Sequence, residues 1–365
     1  MRNKRLGETK SMNDRHPFSK KSDSKKSDSK GDLGLTAEDL LHAFDHLRQN
    51  RSAKRPSPHK PLMVLLALGR ILRGDRRFMA YSDIQGPGTS LIEDYGLNAR
   101  QPDPCLPFTH LSGDRAGQGR LWEIRDWDEI QRRLKEDPAT REKIEHQSPL
   151  MLIRSPSRLK KHDVEAGFTA PVYHLLKGNH RLIFQIARRL LDKEFPETLH
   201  ADILARVGLD EALDEMDHRE AIVKRRPRDP RFREEVLVAY GYRCAVCDYN
   251  IRLGNTSLGV EAAHIRWHAY RGPDRIDNGL ALCTIHHRAL DNGAIGIDEG
   301  MRVMVSDHVN GDRDSCERYF HRFRGKEIHL PYNADDRPDP DHLEWHLDRV
   351  FRSRRRRPLA SEPLP

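Results

Sequence analysis

The chain has 365 residues, of which 36% are hydrophobic and 33% charged, and its 64 Lys and Arg against 56 Asp and Glu leave a formal net charge of +8. That length accommodates two ordinary domains plus tails. No apolar run approaches the roughly 18 to 20 residues a membrane span requires, and the opening MRNKRLGETKSMNDRHPFSKK lacks the apolar stretch of a secretory signal, so a cytoplasmic protein is expected.

Residues 1–32 are built from Lys, Ser, Asp and Gly with a repeated KKSDS, too polar to offset the entropy of ordering, and read as a disordered basic tail. Much of the net charge sits there, so it says little about a folded binding face. Thr36, with Asp39 three residues on, predicts a capped amphipathic helix whose face carries Leu40, Leu41, Phe44 and Leu47. Pro61 opens a second helix running to Gly74, apolar nearly all round and therefore expected at the centre of a core. Strand-like pieces follow at 78–81, 107–111 and 120–124, the last two joined by SGDRAGQG as a hairpin. Helices return at 127–135, 181–193 and 201–207.

The expected organisation is α+β: a mostly helical domain with a small β element over 33–208, a basic linker over 209–228 with Lys224, Arg225, Arg226 and Arg228, a second domain over 229–325, and a C-terminal extension over 326–365. The second domain opens with a helix bearing Phe232, Val236, Leu237 and Tyr240. A strand at 259–265 comes next, then a loop entering a helix over 278–288, and two short strands at 294–297 and 301–305.

The five cysteines are Cys105, Cys244, Cys247, Cys283 and Cys316. An odd number without a signal peptide argues against a disulfide framework, whereas close spacing points to metal. Cys244 and Cys247 form a Cys-x2-Cys pair, and Cys283 and His286 a Cys-x2-His pair some way downstream. This is the ligand set of a closed, structural Zn2+ site.

Around these four residues lie His264 in Ala-His-Ile, Asn278 in Asn-Gly-Leu-Ala-Leu-Cys, and His287 in His-Arg. Taken together, the segment from about 229 to 300 resembles the HNH nuclease family with a zinc knuckle, a ββα-metal fold. The resemblance implies His264 as general base, Asn278 as the residue that holds the loop and orients the base or lies near the ion, and His287 as a ligand of a catalytic Mg2+ or Mn2+. Consecutive helical residues project about 100° apart, so His286 can face the zinc while His287 faces the cleft. Many family members place a metal ligand directly before the base. Here that position is Ala263, which leaves Glu261 and Asp291 as alternatives for the second ligand.

Residues 51–72, RSAKRPSPHKPLMVLLALGRIL, with the later CLPFTHL, LWEI and FPETLHADILARVGL, resemble the sulfur-binding domain of phosphorothioate-dependent type IV restriction endonucleases of the McrA kind. That resemblance spans about 35–208. It implies a partner, double-stranded DNA with sulfur replacing a non-bridging phosphate oxygen, and a metal-dependent cut near the mark. His59 and Lys60 would contact the modified phosphate, Leu106, Pro107 and His110 would wall the sulfur pocket, and Arg51, Lys54 and Arg55 would add phosphate or base contacts. The family commonly has an aromatic residue at the position of Leu106 and a small one at that of His110. Cutting both strands with one HNH site calls for a homodimer, two encounters or movement between strands. The rival readings are an HNH endonuclease specific for methylated cytosine and a non-catalytic zinc-stabilised DNA-binding protein.

Overall fold

The structure is a computed structural model that describes residues 34–48, 57–97, 102–210 and 230–353. The expected tail, Arg51, Lys54, Arg55 and the basic residues of the expected linker lie outside the described residues. Helices and small antiparallel sheets make an α+β architecture, and no helix is long and apolar enough to cross a membrane.

Helix α1 (Ala37–Asp45) begins at the expected capping box, with the Thr36 hydroxyl and the Asp39 carboxylate each serving the other's backbone N–H. Helix α2 (His59–Leu72) starts two residues before Pro61, and its run from Pro61 to Gly69 is buried, as the all-round apolar pattern requires. Gly74 follows in the left-handed conformation that ends a helix without strain. The chain then makes β1 (Met79–Ala80) and α3 (Tyr81–Tyr95). Sequence reading missed α3 because Gly86-Pro87-Gly88 lies inside it. Gly88 meets the Pro104 ring so closely that a Cβ there would stand 2.9 Å from it.

The expected strand at 107–111 is instead helix α4 (Cys105–His110). Pro107 sits in its first turn, where a missing N–H costs nothing. The hairpin is shorter than expected and lies within the Gly-rich segment, where β2 (Arg115–Ala116) pairs with β3 (Gly119–Arg120). Strand β4 (Trp122–Ile124) precedes α5 (Trp127–Glu136), and β5 (Glu165–Phe168) runs between β1 and β4 as the middle of a three-stranded antiparallel sheet. Phe108 of α4 stands edge-on to Tyr81 and Trp122, at centroid distances of 5.5 and 6.3 Å, and Trp122 packs likewise on Phe168. These aromatic contacts fix which face of α4 is turned outward. Helices α6 (His180–Glu194) and α7 (Glu197–Val207) complete the first core. Gly69 of α2 lies under the C-terminus of α7, where a Cβ would fall 1.9 Å from the Val207 carbonyl oxygen, so only glycine permits that approach.

A second core gathers α8 (Pro230–Ala239), β6 (Val260–His264), β7 (Gly279–Cys283), α9 (Thr284–Asp291), β8 (Ile295–Ile297) and β9 (Val303–Val305). The segment 279–283, expected as loop, is a fully buried strand paired antiparallel with β6, from His264 opposite Gly279 to Val260 opposite Cys283. Its five apolar positions lack the alternation that marks a half-exposed strand.

Helix α10 (Pro340–Arg349), within the expected extension, returns to this core through Leu343 and buries His346. His346 Nε2 donates to the Leu290 carbonyl at 3.0 Å, yet desolvation lowers its pKa to about 4. The unfolded chain therefore takes up this proton first. Stability from the neutral imidazole is complete above its ordinary value and is lost as pH falls from about 6.5 to about 4, a loss of roughly 3 kcal/mol. Urea unfolding at pH 7 and pH 4 should show this loss in the native protein, and a His346→Gln variant should lack it.

Candidate nuclease centre and nucleic-acid interface

Strands β6 and β7 and helix α9 form a ββα unit, and each carries functional side chains. The thiol and imidazole cluster fixes where α9 starts, since Cys283 is the residue that caps it. Cys244 and Cys247 lie in a knuckle after α8, held by Ala245 N–H on the Ala281 carbonyl at 2.7 Å and by Cys244 N–H on the Tyr249 carbonyl at 2.9 Å. Cys283 ends β7 and His286 lies in the first turn of α9. The four ligand atoms lie within 4.8 Å of one another, the one such group among the described residues. Cys247 Sγ is 3.9 Å from Cys283 Sγ, and His286 Nδ1 is 3.2 Å from Cys283 Sγ and 3.6 Å from Cys244 Sγ. A tetrahedral site with metal–sulfur bonds of about 2.3 Å has sulfur–sulfur edges of about 3.8 Å, so the cluster has the size of a closed dication cage. His286 Nε2–H donates to the Tyr319 carbonyl at 2.9 Å, which turns the Nδ1 lone pair toward the sulfurs. Hydrogen bonding with Cys247 and Cys283 pushes the Cys244 thiol far above its usual range, and hydrogen bonds from Cys244 and Cys247 hold Cys283 far below it.

His264 ends β6, stacked on Phe232 of α8 at a centroid distance of 4.1 Å, with Nε2 2.8 Å from Asp274 Oδ1. Donation from Nε2–H to that carboxylate places the lone pair on Nδ1. Asp274 was not singled out in the sequence, where it is one more acid in a polar loop. Asn278 is fully buried. Its Oδ1 accepts from Arg266 N–H at 2.8 Å, and its Nδ2 donates to the carbonyls of Arg266 at 3.0 Å and Pro273 at 2.9 Å. Both ends of the Asn278 carboxamide are thus engaged with backbone groups of the loop after β6. Gly272 lies beside it, where a Cβ would fall 1.8 Å from the Arg266 carbonyl oxygen. An Asn278→Ala change leaves those buried groups unsatisfied, at about 1–3 kcal/mol each, and should lower the urea midpoint accordingly.

His287 of α9 has Nδ1 2.7 Å from Glu261 Oε2 and Nε2 3.4 Å from Asp291 Oδ2. Hydrogen bonding to His287 lowers the Glu261 pKa. The structure therefore brings His287 together with both acids weighed as its companions, on opposite sides of the ring. Positions 261 and 264 lie about 10 Å apart along the strand and leave it on opposite faces, Glu261 toward α9 and His264 toward α8. The two imidazoles thus belong to separate ends of one strand.

In the first core, Lys60 is half-buried and its Nζ meets Asp114 Oδ2 at 2.5 Å, while His59 Nε2 meets the Gly96 carbonyl at 3.2 Å. Burial holds the His59 pKa below its usual value. On α4, Leu106 is exposed, Pro107 is buried, and His110 follows Leu106 by four residues, on the same helical face. His110 Nε2 is buried without a hydrogen-bond partner, and its pKa is lowered by burial and by the charges of Arg154 and Lys60. Arg154 Nη1 lies 3.3 Å from the sulfur of exposed Met151. Neither Arg154 nor Met151 was picked out from sequence, since a lone Met and Arg in a loop carry no distinguishing pattern.

The fold and the ββα site define a nuclease of the HNH class: residues 244–298 match the HNH endonuclease family. Residues 37–212 match the ScoMcrA-like DNA sulfur-binding domain family, so the chain carries a segment matching that family followed by an HNH nuclease domain. Among solved structures, the sulfur-binding domain of SprMcrA complexed with phosphorothioated DNA is 24% identical, covering 48% of this chain and 96% of that one with a TM-score of 0.36. The corresponding ScoMcrA domain complex is 23% identical over 48% and 98%, TM-score 0.36. The type IV phosphorothioation-dependent restriction endonuclease ScoMcrA itself is 22% identical over 48% of this chain and 33% of its own length, TM-score 0.35. No curated protein matches the chain.

Proposed function

We propose that this protein is a type IV restriction endonuclease that binds double-stranded DNA carrying backbone phosphorothioate and hydrolyses a phosphodiester near the mark in a metal-dependent reaction. The observation that carries the reading is one chain in which a segment matching the DNA sulfur-binding domain family is followed by a ββα unit matching the HNH endonuclease family, with an Asp274-paired His264 and a Glu261–His287 pair on that unit.

His264 acts as general base: Asp274 fixes the tautomer with Nδ1 as acceptor and stabilises the imidazolium that forms when water gives up its proton. Asn278 is a positioning residue that keeps the loop after β6 closed. Glu261 and His287 would hold Mg2+ or Mn2+. Their 2.7 Å separation is close to the roughly 3 Å between neighbouring ligands around an ion bonded at about 2.1 Å. Such an ion would supply charge neutralisation at the scissile phosphate and the leaving oxygen. Asp291 lies behind His287, where it holds the ring. The closed cluster of Cys244, Cys247, Cys283 and His286 holds structural Zn2+.

For recognition, the N-terminus of α2 supplies the backbone N–H groups of His59 and Lys60. Leu106, Pro107 and Met151 offer an apolar wall, which suits a large, weakly hydrated sulfur better than a phosphate oxygen. His110 and Arg154 bring polar and cationic groups to the same place. Arg51, Lys54 and Arg55 add contacts to the DNA. The recognition part spans 33–208 and the nuclease part 229–325, with a homodimer or repeated encounters cutting the two strands in the cytoplasm. Digestion of otherwise identical plasmids with and without backbone sulfur, in Mg2+ and in Mn2+, should destroy the sulfur-bearing one selectively. Equal digestion of both would reject the specificity, and preference for a methylated control would replace it.

A further inference from the structure

Helix α7 belongs to the first core through Leu199, Ile203, Leu204 and Val207, yet its outer face meets α9 of the nuclease unit. Two polar contacts join them. Arg288 Nη2 donates to Asp202 Oδ2 at 2.6 Å, and Thr198 Oγ1 donates to Asp291 Oδ2. The second contact concerns the nuclease centre directly, because the same Asp291 oxygen lies 3.4 Å from His287 Nε2 and the Asp291 side chain is only 2% exposed. A buried carboxylate needs donors to hold its charge, and here one donor comes from the recognition half of the chain.

We infer that Thr198 is a positioning residue of the nuclease centre: its hydroxyl holds Asp291, and Asp291 in turn sets the orientation and tautomer of His287. A cation replacing the proton between Nδ1 and Glu261 would leave the ring N–H at Nε2, which faces Asp291, the form that a metal-binding imidazole requires. The same helix α7 lies against α2, the helix that begins with His59 and Lys60. Gly69 and the Arg73 guanidinium, 3.0 Å from the Val207 carbonyl oxygen, meet its C-terminal turn. One rigid element thus touches both the expected DNA-reading helix and the helix carrying His287, and the nuclease centre is complete only when the two halves are docked. This inference rests on the reading of Glu261 and His287 as the cation site.

The test uses the full chain with its cysteine cluster loaded with zinc, and measures Mn2+ binding without DNA by loss of the free-ion paramagnetic resonance signal. Affinity for phosphorothioate duplex and thermal melting are followed in parallel. Thr198→Val should weaken Mn2+ binding about 10- to 100-fold, the usual cost of removing an outer partner of a metal ligand. Thr198→Ser should restore it to within a few-fold, with duplex affinity unchanged in both. Asp202→Ala, which breaks the neighbouring ion pair and leaves Asp291 alone, should bind Mn2+ as the native protein does. Native-like Mn2+ binding by Thr198→Val overturns the inference, as does equal weakening by Asp202→Ala, which would mean that docking alone matters. Failure of the cation reading looks different: the native protein would bind no Mn2+ that Glu261→Gln removes, and the inference would fall with it.

Discussion

Replacing His264 by Ala is expected to reduce cleavage of phosphorothioate DNA about 10²- to 10⁴-fold, the usual contribution of a positioned base, while leaving duplex affinity within a few-fold of native. The separation follows from geometry. His264 stacks on Phe232 and bonds Asp274 inside the nuclease unit, whereas His59, Lys60 and His110 belong to the first core. Asp274→Asn should cost less than His264→Ala, because the amide can present its oxygen to the same Nε2–H but cannot stabilise the imidazolium as well. Single-turnover cleavage alongside a binding titration checks both. Native rates in His264→Ala with added Mn2+ would remove this imidazole from the reaction.

Stripping the metal from the cysteine cluster is expected to unfold the nuclease unit and leave the recognition half folded. A structural zinc in a small site is worth roughly 10 kcal/mol or more, as much as the entire stability of an ordinary domain, about 5–15 kcal/mol. The cluster pins the end of β7 and the start of α9 to the knuckle after α8. Its loss therefore frees the elements that carry His287 and face Glu261. Elemental analysis should find one zinc per chain. After chelation, hydrogen exchange should lose protection across β6, β7 and α9 while α2 and α6 keep theirs, and Cys283→Ala should behave as the stripped protein. Retained protection in the zinc-free chain would show that the thiols are packing groups only.

Features set by short, local chemistry were legible in the sequence. The Thr36–Asp39 capping box, the all-round apolar α2 and the four-residue metal cluster each depend on residue types at fixed offsets, and each is found where the offsets put it. Elements whose signal is ambiguous without neighbours were not. CLPFTHL forms a helix because Phe108 docks between Tyr81 and Trp122, a contact made with distant parts of the chain. Gly86-Pro87-Gly88 stays helical in α3, where Gly88 lies against Pro104, and 279–283 is a strand because β6 pairs with it along its whole length.

The candidate centre divides in the same way. His264, Asn278 and His287 stood out by type and spacing, but nothing in the linear order says which acid each imidazole meets. Asp274, Glu261, Asp291 and Thr198 are common polar residues whose importance arises from where the backbone carries them. By itself the sequence determined the chemical inventory: two imidazoles, a carboxamide, a metal cage and an apolar basic recognition half. Tertiary structure decided the His264–Asp274, His287–Glu261 and Thr198–Asp291 pairings, because hydrogen bonds and ion pairs act over about 3 Å, and residues 10 to 93 positions apart reach that distance only once strands, helices and both cores have packed.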